Sequence, residues 1–133
     1  MSIADIRAGL ASNLSTIRGL RVRSDMPDQA NPPMAVINLQ TVNYDGAFAG
    51  GLVTYNFQVT VIVGRASERE AQRRLDAYIT PTTGSIKNAV ESDRTLAGAA
   101  YDVRVVDMSN LGSILISDQN YLAAEFTVVV YGN

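Results

Sequence analysis

The 133-residue chain contains no cysteine and no histidine. Without cysteine there are no disulfides, thiol nucleophiles or thiolate metal ligands, and without histidine there is no imidazole for acid–base chemistry. The same two absences exclude a Ser-His-Asp triad and the common zinc sites. The sequence therefore predicts a protein that is not an enzyme and that binds no metal or cofactor.

Strong net charge and long apolar runs are absent too. With 11 basic and 13 acidic residues the net charge is −2, so bulk electrostatics does not favour nucleic acid or an anionic membrane as a partner. The clean apolar runs, such as 61–63 and 128–130, are far shorter than the about 20 residues of a membrane span. Asp5, Arg7 and Arg18 interrupt any apolar signal-peptide core. We expect synthesis in a reducing cytoplasm and no membrane association.

The composition that remains is that of an ordinary globular protein. Apolar residues make up 47% of the chain and charged residues 18%, which is typical of a folded protein and not of a disordered one. A chain of this length buries enough surface to fold without disulfides or metals. Length and composition together predict a single domain, 1–133.

The first helix is predicted at the N-terminus. Ser2, with Asp5 three residues later, is typical of a capping box, and Gly19 supplies a left-handed stop. Between them the apolar residues repeat at helical spacing and form one stripe: Ile3, Ile6, Leu10, Leu14 and Ile17. Such a stripe indicates a helix that packs on the rest of the protein.

Two further helices are predicted near the middle of the chain. Ser67 and Glu70 form a second capping box, and Pro81 ends the helix that follows. Its buried stripe consists of Ala71, Leu75, Tyr78 and Ile79. A short third helix is expected around 86–90.

Alternation of apolar and polar residues predicts a mainly antiparallel sheet of about five strands. The clearest strand is 53–63, in which the odd positions are apolar or aromatic and the even positions are polar until Ile62. The other four are expected at 34–42, 101–107, 112–117 and 120–131. The proline-rich segment 24–33 is a loop. The order of elements predicts an α+β fold, with the sheet packed by the N-terminal helix and one or two central helices.

Each candidate catalytic or binding motif has a better structural interpretation. Ser85 and Lys87 lie two residues apart on a helix and point about 200° away from each other, so they cannot form a dyad. Instead we expect Ser85 to be a helix cap and Lys87 to be a solvated side chain. The glycines of 46–51 lack the following Lys-Ser/Thr of a phosphate loop. Two acidic pairs lack the spacing of a calcium loop and are expected to be surface residues: Asp25 with Asp28, and Glu91 with Asp93.

An arginine cluster marks the second helix, at positions 65, 69, 73 and 74. Glu70 and Asp76 lie at helical spacing from these arginines, which favours a solvated, internally paired helix face. A subunit interface is the alternative, in which Arg69 or Arg73 binds a carboxylate of a neighbouring copy. Nucleic-acid binding is the weakest interpretation, because no aromatic platform accompanies the charge.

The connection 43–52, called the arm below, carries Tyr44, Phe48 and Leu52 among several glycines. It is too long for a tight hairpin turn, and exposed aromatic side chains are costly unless something covers them. Either the arm folds back over its own sheet or it lies on another subunit. We therefore include Tyr44, Phe48 and Leu52 with Arg69 and Arg73 as candidate interface residues.

Short motifs along nearly the whole chain form a distinctive combination. The first third contains Ile6-Arg7-x-Gly9-Leu10, Gly19-Leu20-Arg21-Val22 and Pro27-Asp28 with Pro32-Pro33. The middle contains Tyr55-x-Phe57-x-Val59-x-Val61, Gln72-x-x-Leu75-Asp76-x-Tyr78, and Ser85-Ile86 to Asp93 before Leu96-x-Gly98. The end contains Asp102-Val103-Arg104-Val105 and Tyr121-Leu122 before Phe126. This combination resembles the tail terminator proteins of long-tailed phages with actinobacterial hosts, a family without active-site residues.

The resemblance implies a structural virion protein, assembled in the host cytoplasm, that forms a ring of six copies on the head-proximal end of the tail tube. Such a ring stops tube growth and provides the surface for joining to the head connector. The implied partners are other copies of the chain, the tail tube protein and the head–tail connector, with DNA only as passing cargo. The alternative is a head–tail connector or other neck (head completion) protein, because these share the size and composition. A small binding module outside the virion is a third interpretation.

Overall fold

The computed structural model describes residues 2–23, 32–44 and 53–132. In that part of the chain five strands form one sheet: β1 Arg21–Arg23, β2 Met34–Asn43, β3 Val53–Arg65, β4 Asp102–Ile116 and β5 Gln119–Gly132. The three helices are α1 Ile3–Leu14, α2 Arg69–Ile79 and α3 Ile86–Val90. The strand order is β1-β2-β3-β5-β4, with β1 parallel to β2 and every other neighbouring pair antiparallel. This is the predicted α+β fold with a mainly antiparallel sheet.

Local capping explains where α1 and α3 begin. The Ser2 hydroxyl oxygen accepts the N–H of Asp5 at 3.1 Å, and the Ser85 hydroxyl oxygen accepts the N–H of Asn88 at 3.1 Å. Gly19 has a φ of +84°, as expected for a left-handed stop. The α1 helix itself ends at Leu14, so the last residue of the predicted stripe, Ile17, is buried from the turn that follows the helix.

The main core lies between the helices and one face of the sheet. The odd-numbered residues of β3 from Tyr55 to Val63 are buried in this core, which confirms the alternation read from the sequence. Three of the four predicted stripe residues of α2 are also buried: Ala71, Leu75 and Tyr78. Ile6, Leu10 and Leu14 of α1 are fully buried in the same core.

The opposite face of the sheet carries a second, smaller apolar cluster at one end. Met34, Val36 and Ile62 are buried there together with Ile116 and Ala123. The end of the β4–β5 hairpin supplies two further partly buried side chains, Ile114 and Tyr121. The even-numbered positions of β3 change from polar to apolar at Ile62, because the end of the β4–β5 hairpin covers this end of the face.

Two strand predictions were wrong in detail. The segment β1 was not predicted, because three residues are too short to show alternation. The separate strands expected at 101–107 and 112–117 are one strand, β4, in which register irregularities fall between Val105 and Asp107 and between Ser109 and Gly112. Bulges of this kind shift the alternation without ending the strand, and Asn110 adopts a left-handed φ of +52° at the second one.

The predicted capping box of the second helix was also wrong. The N–H of Glu68 donates to the carbonyl oxygen of Arg65 at 3.0 Å, which closes a turn that contains Ser67. The N-cap residue is therefore Glu68 and not Ser67, the helix begins at Arg69, and Glu68 makes no side-chain capping bond. Its end agrees with the prediction, because Thr80 is the C-cap and Pro81 follows.

No helix within the described residues is both long enough and apolar enough to cross a membrane.

Candidate interaction surfaces

The structure places the candidate interface residues in two separate regions. Tyr44 follows the end of β2 and is 71% exposed. Phe48 and Leu52 lie outside the described residues. Arg69 and Arg73 are exposed on α2, which follows the end of β3. Because β2 ends where β3 begins, Tyr44 and Arg69 lie toward opposite ends of the sheet, so one small contact patch cannot include both.

The arginine cluster of α2 is divided between an exposed pair and a structural contact. The guanidinium of Arg73 pairs with Glu70 at 3.2 Å, with both side chains more than two thirds exposed. Arg74 instead donates to the carbonyl oxygen of Val63 at 2.6 Å and ties the helix to β3. Burial raises the pKa of Tyr78, although the nearby charge of Arg74 acts in the opposite direction. Arg73 is therefore accessible to a partner, whereas Arg74 is committed to the fold.

The face of the sheet that points away from the helices carries a row of amide and carboxylate side chains. Gln58 of β3 donates to Glu125 of β5 at 2.6 Å and accepts from Gln40 of β2 at 3.3 Å. Asn110 of β4 donates to the same oxygen of Glu125 at 2.6 Å. The row links four strands across this face and offers a partner mainly neutral hydrogen-bonding groups.

Of the six large apolar side chains that are exposed in the described chain, four lie on the outer strand β4 or just before it. β4 is the last strand in the sheet and has β5 as its one strand neighbour among the described strands. Val106, Leu111 and Leu115 project from it with 53%, 49% and 65% of their surfaces exposed, and Tyr101 just before it is 56% exposed. This surface could not be predicted from the sequence, because the exposure of these side chains depends on which strand lies at the edge of the sheet. The one local indication of this surface in the sequence is the pair Val105-Val106, in which two adjacent apolar residues break the alternation of apolar and polar positions.

Two charged side chains of α3 and its C-cap close part of the β4 edge. A carboxylate oxygen of Glu91 accepts the N–H of Val105 at 2.9 Å, and the Lys87 ammonium donates to the carbonyl oxygen of Val105 at 3.1 Å. Lys87 and Glu91 pair with each other at 2.5 Å. They therefore take the place of a neighbouring strand at Val105, a recognised way to prevent edge-to-edge association.

The electrostatics of Glu91 agree with this role. Partial burial raises its pKa, but the hydrogen bonds from Lys87 and from the N–H of Val105, with the charges of Lys87 and Arg94, outweigh that effect and leave the pKa below its usual value. The lowered pKa favours the carboxylate form of Glu91, and this form accepts the hydrogen bond from the N–H of Val105. Ser85, the other member of the rejected dyad, is fully buried as a helix cap.

Carboxylates near the start of β4 are likewise occupied by structural contacts. Asp102 accepts hydrogen bonds from Arg94 at 2.8 and 3.2 Å and from Arg104 at 3.3 Å. The bond from Arg94 is the main cause that lowers the pKa of Asp102 to about 2. The hydrogen bond from the N–H of Ala97, followed by those from Thr95, lowers the pKa of Asp93.

One potential ligand site in the described part of the chain lies beside α1. A shallow groove of about 400 Å³ lies between α1 and residues 96–99, and Asp5 is its one charged lining residue. Among the residues described, no three acidic side chains come together in a way that could hold a metal ion. The predicted acidic pair Asp25 and Asp28 lies outside these residues.

Comparisons with known proteins add little. No protein-family model and no curated protein matches the chain. A similar solved structure, which is named by an identifier alone, has 17% sequence identity and a TM-score of 0.47, with 98% of this chain and 96% of that chain covered. A TM-score of this size supports no argument about fold or function.

Proposed function

We propose that this chain is a phage tail terminator, a structural virion protein whose copies form a closed ring on the head-proximal end of the tail tube. The motif combination described above suggests the family. The structural observation that supports an assembling role best is the outer flank of β4, where Val106, Leu111 and Leu115 are exposed on a strand with one described neighbour. An edge strand that carries several exposed apolar side chains is a surface at which another protein can associate.

A ring and a tube place different demands on such a subunit. Within the ring, each copy contacts the next through two different surfaces, and the rotation between copies must close. Along the tube axis the contact between rings is also heterologous but open-ended, so the tube can keep growing. A terminator keeps one face that fits the tube and replaces the other with a face for the head connector. Growth then stops because the next tube ring finds no partner face.

The two regions with candidate interface residues suit two different contacts of this assembly. The arm with Tyr44, Phe48 and Leu52 provides apolar anchors, and burial of one such side chain contributes roughly 1.5–3 kcal/mol. Arg69 and Arg73 on α2 offer guanidinium groups to a carboxylate of the next subunit or of the tube. No part of this proposal requires a cofactor, and DNA passes through the ring as cargo.

Removing the chain from the phage that encodes it tests the proposal and its alternative together. A terminator is needed to stop tube growth, so its loss should give tails of uncontrolled length that are not joined to heads. A connector or neck protein acts after the tail is complete, so its loss should give tails of normal length that remain unattached. Intact infectious particles without the chain would contradict both functions.

A further inference from the structure

One edge of the sheet is covered over only part of its length. The edge strand β1 is three residues long and pairs with residues 34–36 of β2. Among the described strands, none pairs with the outer side of β2 from 37 to 43. This stretch is called the open β2 edge below. In an antiparallel pair every second residue directs its backbone N–H and carbonyl groups outward, so the open β2 edge can accept a further strand.

The other edge of the sheet is covered over the opposite half. Lys87 and Glu91 bond both backbone groups of Val105 and close β4 there. No described strand pairs with the outer side of β4 from 109 to 116, called the open β4 edge below. A bulge follows Ser109, and from Gly112 onward the pairing with β5 is regular. This stretch can therefore also accept a further strand.

Neither open edge carries the charges that commonly keep edge strands apart. Natural proteins protect exposed edges with charged side chains, proline or very short strands. Residues 37–43 and 109–116 contain no charged residue and no proline. The covered halves differ, since the short strand β1 carries Arg21 and Arg23 and an ion pair closes β4 at Val105. Each edge is thus protected over one half and able to pair over the other.

We propose that the open β4 edge of one copy pairs with the open β2 edge of the next copy, which makes the sheets of adjacent subunits continuous. This inference rests on the proposed function, since it assigns the contact between neighbours in the ring. Strands β2, β3, β5 and β4 alternate in direction. Rotation about the ring axis preserves these directions, so β4 runs antiparallel to β2 of the next copy. The contact joins two different surfaces, as a closed ring requires.

The offset between the two open edges agrees with closure. Leu39 and Ser113 lie near the middles of the two edges and are level with Val128 and Leu122 of β5, respectively. This six-residue offset is about 20 Å along the strands, and four strand spacings are about 19 Å. The strands must therefore tilt by about 45° from the ring axis for successive copies to stay at one height. Strands of closed sheets typically tilt by about 35–45°.

The side chains along the two edges also match. Ser113 pairs with Leu122, which packs against the main core, so Leu115, two residues further on, lies on the helix-bearing face. Leu115 is 65% exposed. Leu39 and Val42 of β2 pack against the same core and are only partly buried. Rotation keeps the helix-bearing faces of adjacent copies on one side, so pairing brings Leu115 toward Leu39 and Val42 of the next copy.

Cross-linking between introduced cysteines tests the contact, because the natural chain has none. One preparation carries Gly112→Cys and a second carries Thr41→Cys, with a mass tag to distinguish them. A Cβ atom at Gly112 meets no atom within 4 Å, and Thr41 is exposed. Both positions lie on the face away from the helices, since Gly112 pairs with Ala123 and Thr41 with Asn56.

Distance separates a link between copies from a link within one copy. Thr41 and Gly112 of the same copy are six residues apart along the strands and three strand spacings apart across them. This separation is about 25 Å. A bismaleimide that spans about 8 Å reaches opposite and diagonal positions of paired strands. It can therefore join these two positions only between different copies.

The two preparations are mixed at about 10 µM, where paired edges hold the thiols at an effective concentration in the millimolar range. We therefore expect links to form about 100-fold faster than by random collision. The matched control replaces Gly112→Cys with Asp107→Cys, which is exposed on the same strand and face but outside the open β4 edge. Equal rates for the two pairs would overturn the inference. Preferred linking of Gly112→Cys to itself would also overturn it, since β4 would then pair with β4.

A charge placed on the edge gives a second test that needs no cross-link. Leu115→Lys lies in the open β4 edge, whereas Val106→Lys lies beside the closed residue Val105, and the two natural side chains are 65% and 53% exposed. We expect Leu115→Lys to raise the dissociation concentration of the assembly about 10-fold and Val106→Lys to raise it less than about 2-fold. If light scattering shows a ring but neither test singles out the open edges, the inference fails and the proposed function stands. A chain that stays monomeric at every concentration contradicts both.

Discussion

At the scale of single residues, Asn13 shows how a polar side chain can serve the fold and not a site. It is buried, and its amide donates to the carbonyl oxygens of Val90 at 2.8 Å and Asp93 at 3.0 Å. These bonds join α1 to the end of α3, two elements that are far apart in the sequence. The Asn13-Leu14-Ser15 sequence matches a glycosylation acceptor pattern, but a buried amide with two partners is unsuited to that role.

Replacement of this amide should lower the stability of the whole domain. Asn13→Ala leaves two carbonyl oxygens without their donor, and the expected loss is about 1–3 kcal/mol in the free energy of unfolding. Urea unfolding measures the loss. The neighbouring exposed residue provides the control, since Ser12→Ala should change stability by less than about 0.5 kcal/mol. Equal effects of the two substitutions would contradict the role assigned to Asn13.

Asp102 predicts a specific response to acid. Its pKa in the folded chain is about 2, below the value of about 3.9 expected when the chain is unfolded. A lowered pKa means that the carboxylate stabilises the fold above the unfolded value and that this contribution is lost as the pH falls through the folded value. The free energy of unfolding should therefore decrease between about pH 4 and pH 2.

Asp102→Asn should remove part of this pH dependence. The effect is small, because the ion pairs are partly exposed and screened by solvent. Some slope should remain, since the pKa values of Glu91 and Asp93 are lowered as well. Urea midpoints measured at several pH values provide the test. A slope identical to that of the unchanged protein would show that the Arg94–Asp102 contact does not stabilise the folded state.

At the scale of secondary-structure elements, the closure of the β4 edge by Lys87 and Glu91 gives the clearest prediction. Glu91→Ala removes the acceptor of the Val105 N–H, and loss of a partner for a buried donor costs about 1–3 kcal/mol. Glu91→Gln retains an acceptor oxygen and should cost less. The Ala variant should also aggregate more readily, since it reopens a strand edge.

Thermal unfolding and light scattering of the two variants side by side measure both effects. If Glu91→Gln is as damaging as Glu91→Ala, the charge of Glu91 matters and its hydrogen bond to Val105 does not. If neither variant differs from the unchanged protein, the closure has no energetic importance.

The sequence predicted the elements whose signals are local. The caps at Ser2 and Ser85 and the alternation of β3 depend on residues only a few positions apart, and all three were confirmed. The bulges of β4 could not be predicted, because they reflect its pairing with β5. The turn that contains Ser67 could not be predicted either, since it follows from where β3 ends.

Only some of the candidate surfaces could be predicted from the sequence. The sequence left open whether Tyr44 packs on its own sheet or on another subunit, and its side chain is 71% exposed in the structure. The β4 flank was missed, because a strand's position at the edge of the sheet is set by the strand order. Leu111 and Leu115 resemble core residues in the sequence and become exposed only because of that order.

At the scale of the whole molecule, a closed ring requires that each copy contacts the next through two different surfaces. The α2 surface provides one charge-dependent test. Arg73→Glu should weaken assembly and leave the monomer folded, because the side chain is 75% exposed and its ion pair with Glu70 is solvated. The dissociation concentration of the assembly measures the effect. Arg18→Glu, an exposed charge reversal on another part of the chain, is the control.

Assembly that is unchanged by Arg73→Glu would identify the α2 surface as an ordinary solvated face. The ring would then depend on the arm and the β4 flank alone. Equal weakening by Arg18→Glu would instead indicate a general effect of net charge, because both substitutions add two negative charges to the chain.

The most direct test of the central claim is the mass of the purified full-length chain, measured by light scattering over a range of concentrations. A closed ring should give one discrete species at a fixed multiple of the 14.3 kDa subunit, with six copies expected from the family resemblance, in equilibrium with monomer. Closure permits no continuous series of larger species. A monomer at every concentration, or an open-ended series of oligomers, would contradict the account.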